Sequence, residues 1–365
     1  MKTMRVLLLG VVLLAVSVSS YGLALCDYHS PVTSLTGAGL SFGYRYFNDG
    51  GTPDVDVNSG RVGLGFDSLF DSPNIGYSFS GNAEIALSEF MPVSWLGQGA
   101  GTFRYYVTEG MPFFAYGGAE GSVSPGIMGL EIRAGVGYGR FSDVTPLAKS
   151  LTIEAELMEL EAIVDPLPDE ILMSIAEVIG REVEYATLKE LVADIEALIE
   201  GASGVDLDAR ALLTIEEVVL EVGDDRKCGW AIQGGIGYEL IDPLGGDRDI
   251  VLAASADAAF ASGPDDQLLF HASFSGPFEI MDENTLSASF DYEYQLTEDS
   301  RLLADYALQR LQAAPGDVRI YHAASMTLSF NLGGADIGLQ VGLSRDPADP
   351  DWSTDISISA AMDLL

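Results

Sequence analysis

The residues of this chain that could do chemistry are few, and they do not fall into a catalytic frame. Its histidines are His29, His271 and His322, and its cysteines are Cys26 and Cys228. None belongs to a Gly-x-Ser-x-Gly elbow, a His-Glu-x-x-His helix or a Cys-x-x-Cys pair, the spacings at which a nucleophile, a zinc site or a dithiol works. His271 would share a strand face with Ser273 and come near Asp291, a grouping a hydrolase could use, but a plain polar wall accounts for it as well. Asp54-x-Asp56-x-Asn58-Ser-Gly60 has the opening of a calcium loop. It lacks the glycine at the sixth position and the acid at the twelfth, so an acidic surface turn is the plainer reading. No metal, no cofactor and no enzymatic activity is expected.

What the sequence offers instead is carboxylates at every second position. Between Asn284 and Gln295, Leu286, Ala288, Phe290, Tyr292 and Tyr294 alternate with Ser287, Ser289, Asp291, Glu293 and Gln295. A β-strand there is apolar on one face and acidic on the other. The same alternation puts Glu84, Glu120, Glu131, Glu239, Asp257, Asp305 and Asp355 on the polar face, against Arg45, Arg104 and Arg133. Around a water-filled passage such a row holds a negative potential and enriches cations. In a narrow one, the charges pair across the middle and fill it.

The elements that must position these rows recur along the chain. Alternating runs include Leu40 to Tyr46, Val62 to Phe66, Ile75 to Leu87, Phe103 to Val107, Met128 to Tyr138, Trp230 to Leu240, Ile250 to Phe260, Leu268 to Phe274, Ile337 to Leu343 and Trp352 to Leu364. Turn chemistry such as Asp-Ser-Pro-Asn, Gly-Pro-Asp-Asp, Thr-Glu-Asp-Ser and Ala-Pro-Gly-Asp separates them. The pattern predicts about fourteen strands, each near the 9–11 residues that a tilted spanning strand needs. Six of them precede residue 143.

Composition sets bounds. The chain of 365 residues is 48% hydrophobic yet carries a formal charge of -37. After the amino-terminal segment it has no uninterrupted apolar run of eighteen, so spanning helices are excluded. Alternating strands spread apolar residues one in two, which gives high apolarity without blocks. Phosphate binding needs clustered Lys and Arg, and these are few and scattered, so nucleic acid is excluded as a partner.

At the amino terminus, Lys2 and Arg5 precede the apolar run Val6 to Val18, and small residues follow. Residues 1–22 therefore read as a secretory signal peptide, with the cleavage point and lipidation of Cys26 left open. In an oxidising compartment Cys26 and Cys228 are candidates for a disulfide.

The polar face carries Ser, Thr, Gly, Asn and acid, with few of the Lys residues that guard soluble strand edges. Aromatic residues such as Tyr44, Phe113, Phe114, Tyr116, Tyr138, Tyr306 and Trp352 lie where interfacial girdles would be. On these features the strand-bearing part, residues 35–142 and 228–365, resembles bacterial outer-membrane β-barrel proteins of porin-like architecture. The likeness is one of pattern and identifies no single family. A secreted β-sandwich would show the same alternation. The resemblance implies an all-β transmembrane antiparallel barrel in the outer membrane, in contact with its lipid, working as a passive channel or transporter with a cation-preferring lumen. The alternative is a non-conducting structural or adhesive protein.

Between residues 143 and 227 the period changes to 3.6. Thr187-Leu-Lys-Glu190 is a capping box, Leu188, Leu191, Val192, Ile195, Leu198 and Ile199 mark one helical face, and Gly201 is the expected stop. Helices are also expected from Thr145-Pro146 to about Val164, from Asp169 to about Ile179 and from Asp206 to about Val222. This four-helix insertion has twenty-two Asp or Glu against six Lys or Arg. In an outer-membrane barrel with both termini in the periplasm, an insertion after the sixth strand is periplasmic, where it could bind a periplasmic protein or the cell wall.

Overall fold

The computed structural model describes residues 23–30, 32–47, 57–108, 111–221, 225–241, 250–278, 284–297, 299–314, 317–332, 335–347 and 349–363. They divide into two compact units. One comprises Met1–His29, Val144–Glu221 and Ala261–Pro264, and the other Ser30–Asp143, Val222–Phe260 and Asp265–Leu365. The signal segment 1–22, and with it Asp54 and Asp56 of the calcium-like turn, lie outside the described residues.

The second unit is a closed antiparallel barrel of fourteen strands. They are β1 (Thr33–Phe47), β2 (Val57–Asp71), β3 (Ile75–Ser88), β4 (Met91–Tyr106), β5 (Phe113–Ser124), β6 (Ile127–Asp143), β7 (Lys227–Ile241), β8 (Ile250–Phe260), β9 (Asp266–Pro277), β10 (Asn284–Thr297), β11 (Ser300–Ala314), β12 (Asp317–Asn331), β13 (Asp336–Asp346) and β14 (Asp349–Asp363). Each strand pairs with its sequence neighbours. The ring closes where β1 meets β14, from Gly39 opposite Asp363 to Tyr44 opposite Ile358. Closure removes the two edges that an open sheet of this size would expose.

Directly opposed residues share a face, so the registers carry one parity around the whole ring. On the outer face stand Phe42, Leu64, Phe79, Ile85, Phe103, Ile132, Ile236, Phe270, Leu339 and Ile358, all solvent-exposed apolar side chains. Aromatic rings gather at both ends of that face. Phe42, Tyr44 and Phe90 stack with centroids 6.3 and 4.0 Å apart where β1 finishes. Phe70, Tyr77 and Phe79, and separately Tyr138 with Trp230, do so at the end where β1 starts.

Two expected girdle residues belong elsewhere. Phe114 and Tyr116 alternate with the outward Phe113 and are buried, in a cluster with Tyr106. Their register partners Gly137 and Gly135 leave the inner space that the rings occupy. A Cβ added at Gly137 would come within 2.4 Å of the Phe114 ring.

The first unit holds α1 (Thr145–Glu159), α2 (Asp169–Ile179), α3 (Leu188–Ser203) and α4 (Ala209–Leu220). α1 packs on α2 and α4, and α3 on the same two. The apolar stripes meet in a core that includes Leu147, Ile153, Leu157, Ile175, Leu191, Ile195, Ile199 and Ile215. Thr187 Oγ1 accepts from the Glu190 N–H, as the capping box requires. Lys149 Nζ donates to the Val219 and Glu221 carbonyls at 2.7 and 2.8 Å, satisfying the carboxyl end of α4.

Helix ends differ from the sequence expectation. α1 stops at Glu159 rather than Val164, because Glu161 turns to φ 57°. α3 runs through Gly201 to Ser203, and the left-handed residue is Gly204 at φ 68°. α4 begins after Asp208, whose side chain accepts from the Arg210 and Ala211 N–H groups.

Candidate functional site

The inner face of the barrel carries the charged residues, with single apolar side chains among them. Glu84 lies opposite Gly63 and Leu96, and Glu120 opposite Ala100 and Glu131. Glu131 is in turn opposite Glu239. Asp257 faces His271, and Leu269 faces Asp291, which faces Asp305. Asp355 is opposite Gly342, itself opposite Ser325 and so in line with Asp305. Glu293 lies between Gln267 and Leu303. Arg104 and Arg133 share this face, paired with Tyr116 and Gly118. Arg45 falls at the matching parity opposite Ser59, with its side chain outside those described. Asn58 belongs to the other parity, where its Oδ1 accepts from the Tyr44 hydroxyl.

The structure adds residues that the alternation alone did not single out. Arg61, Asp67 and Asp71 on β2, Arg301 on β11 and Asp336 on β13 stand on the same inner face. Arg61 and Asp67 flank the Val62 to Phe66 run at the correct parity, and Arg301 follows the Thr-Glu-Asp-Ser turn two residues before Leu303. Extending the runs by one residue would have found Arg61, Asp67 and Asp336, whereas Asp71 lies five residues beyond Phe66.

These basic groups do not sit apart from the acids. Arg133 bonds Glu131 at 2.6 Å and Glu120 at 2.8 Å. Arg301 pairs with Asp336, and with Glu293 at 3.8 Å. Arg61 lies 3.9 Å from Glu84. His271 Nδ1 is 2.6 Å from Asp257 Oδ1 and within electrostatic reach of Glu120 and Asp291. Ser273, the serine on the His271 face, lies 2.6 Å from Ser287 Oγ, while His271 Nδ1 is engaged by Asp257.

Among the described residues Asp291 and Asp305 form no salt bridge. They oppose each other directly on β10 and β11, and Asp305 Oδ2 accepts from Ser325 Oγ at 2.8 Å. Two like charges side by side are costly in a sheet.

At the end where β1 starts, the inner wall is packed. Tyr106 Oη donates to Asp71 Oδ2 at 2.7 Å. The Arg140 guanidinium lies 3.8 Å from the centre of the Tyr106 ring, and Arg104 lies 5.2 Å from that of Phe114. Above this mass two cavities remain. One of about 730 Å³ is lined by Gly37, Asp67, Ser80, Asn82, Gln98, Glu120 and Arg301. That set combines β1 to β5 with β11, so residues from across the ring line one space. The second, of about 460 Å³, is lined by His271, Ser289, Gln309, Tyr321 and Ser344.

No family model matches the chain, and no curated protein matches it in sequence. Among solved structures it is similar to the Acinetobacter baumannii outer membrane protein Omp33, at 9% identity and TM-score 0.35 over 92% of this chain and 99% of that one. The outer membrane channel DcaP of Acinetobacter baumannii gives 9% and 0.35 over 91% and 97%. Salmonella typhi OmpF, in complex with daunomycin, gives 8% and 0.35 over 92% and 99%. The barrel assignment stands on the strand pairing described above, independently of these scores.

Proposed function

We propose that the chain is an outer-membrane β-barrel working as a passive, porin-like channel with a cation-preferring lumen. The observation that carries this reading is the 730 Å³ cavity lined by acidic and amide side chains, inside a closed sheet whose outer face is apolar between two aromatic bands. Only a closed barrel satisfies all backbone groups of a sheet in lipid, and this distribution of residues is the one lipid outside and water inside select. The helical insertion follows β6, which finishes at the end of the barrel where β1 starts. The proposed orientation puts that end in the periplasm, after export through residues 1–22.

The test is a planar bilayer containing the purified full-length protein in a salt gradient. Conductance with a reversal potential favouring cations supports the reading. Absence of conductance favours a second reading, a structural outer-membrane protein whose insertion binds a periplasmic partner or the cell wall. The packed inner end at Tyr106, Phe114 and Tyr116 is the feature that keeps this second reading in play.

A further inference from the structure

The outer face of β10 to β14 carries no carboxylate among the described residues, in a chain with 55 acidic and 18 basic side chains. It carries three bases instead, Arg310, His322 and Arg345, all towards the end of the barrel where β1 finishes. His322 lies directly opposite Arg345, and Arg310 opposite Ile320, two positions along β12. Resting on the membrane-barrel reading, we propose that this patch binds the phosphate group of an anionic lipid headgroup in the leaflet at that end.

Charge and depth both support it. Arg345 is exposed and has no hydrogen-bond or ion-pair partner among the described residues. Arg310 donates to Asn284 Oδ1 at 2.6 Å and Gln312 Oε1 at 2.7 Å, two neutral acceptors that fix the guanidinium without cancelling its charge. His322 Nδ1 meets Tyr306 Oη at 2.9 Å, and its ring is 5.9 Å from that of Trp352. Trp settles at headgroup level, so Trp352, three residues into β14, sets the depth of the bases beside it. Arg310 is four residues from the end of β11, about 13 Å along the strand, within snorkelling range of the interface. An outward Arg is costly at mid-membrane but nearly free near the headgroups. A charge-assisted bond to phosphate then turns the position into a binding site. A protein of net charge -37 is otherwise repelled by an anionic leaflet, which makes an acid-free basic patch on the lipid-facing side the place where such a headgroup is accepted.

The full-length protein is inserted into phosphatidylcholine vesicles, and its unfolding temperature is followed as diphosphoryl lipid A is added. Dephosphorylated lipid A and inorganic phosphate form the parallel arms. A rise in unfolding temperature with the phosphorylated lipid alone is expected. In Arg345→Gln, which breaks no contact of the fold, apparent affinity is expected to fall roughly tenfold, and further in Arg310→Gln/Arg345→Gln, with Lys at both positions restoring it. Equal stabilisation of wild type and both Gln variants overturns the proposal, as does an equal response to dephosphorylated lipid or free phosphate. Failure of the wild type to insert into the phosphatidylcholine vesicles overturns the membrane reading beneath it and is recognised before any lipid A is added.

Discussion

Asp291 and Asp305 give the sharpest prediction about permeation. As directly opposed residues their Cα atoms are about 4.5–5.5 Å apart. Two carboxylates about 5 Å apart repel by about 0.8 kcal/mol at the dielectric constant of water, and by about 3 kcal/mol at an effective value near 20. A cation entering between them relieves that repulsion. In a water-like lumen each carboxylate stabilises a monovalent cation at this distance by about 0.8 kcal/mol, roughly fourfold in local concentration, and disfavours an anion by as much. Asp291→Asn/Asp305→Asn keeps the shape of both side chains and removes both charges. Screening at 0.1 M reduces each of these four factors to about 2.3, so the cation-to-anion permeability ratio, read from reversal potentials in a salt gradient, is expected to fall roughly thirtyfold with little change in single-channel conductance. At 1 M, where the screening length is about 3 Å, variant and wild type should converge. An unchanged ratio at 0.1 M would show that these carboxylates do not face the permeation path, and a wild-type preference for anions would refute the assignment of the two strand faces.

Other perturbations probe the remaining parts of the molecule. Phe114→Ala empties a fully buried position between Tyr106 and Tyr116; thermal unfolding should show a loss of about 3–5 kcal/mol, and conductance should rise if this ring narrows the lumen. In the helical unit, burial raises the Glu154 carboxyl above its ordinary value, against the lowering effect of the Leu167 N–H bond. Its contribution to stability is therefore fully present below the ordinary carboxylate pKa and lost as pH rises through the raised one. Glu154→Gln, which keeps an acceptor for Leu167, should be more stable than wild type at neutral pH, with the difference vanishing in acid when helix melting is followed by circular dichroism. A protease site placed in the 204–208 loop should resist protease added to intact cells and be cut once the outer membrane is permeabilised; cleavage in intact cells would reverse the proposed orientation. Neither cysteine is a free thiol, so non-reducing intact mass after export should be lighter than the dithiol by two hydrogens, with Cys26 and Cys228 in one peptide pair. Acylated Cys26 would exclude that pair.

What the sequence by itself determined is whatever depends on local periodicity. Alternation at Leu286 to Gln295 fixes which side chains share a face, because successive Cβ atoms leave opposite sides of a strand. The switch to a 3.6 period and the Thr187 cap mark the helical insertion, because helix starts are written in a few adjacent residues. Even the inward parity of Arg61 and Arg301 was legible, had each run been extended into its turn. Tertiary structure decided what each charge meets. Whether Glu120 shares Arg133 with Glu131, whether Asp291 opposes Asp305, and whether His271 bonds Asp257 rather than approaching Ser273 depend on the stagger between strands. Phe114 and Tyr116 show the same division: their alternation with Phe113 lies in one strand, but the space their rings fill is left by the glycines opposite them on β6. Parity is a property of one strand, whereas a partner is a property of the register between two, and only the closed sheet sets it.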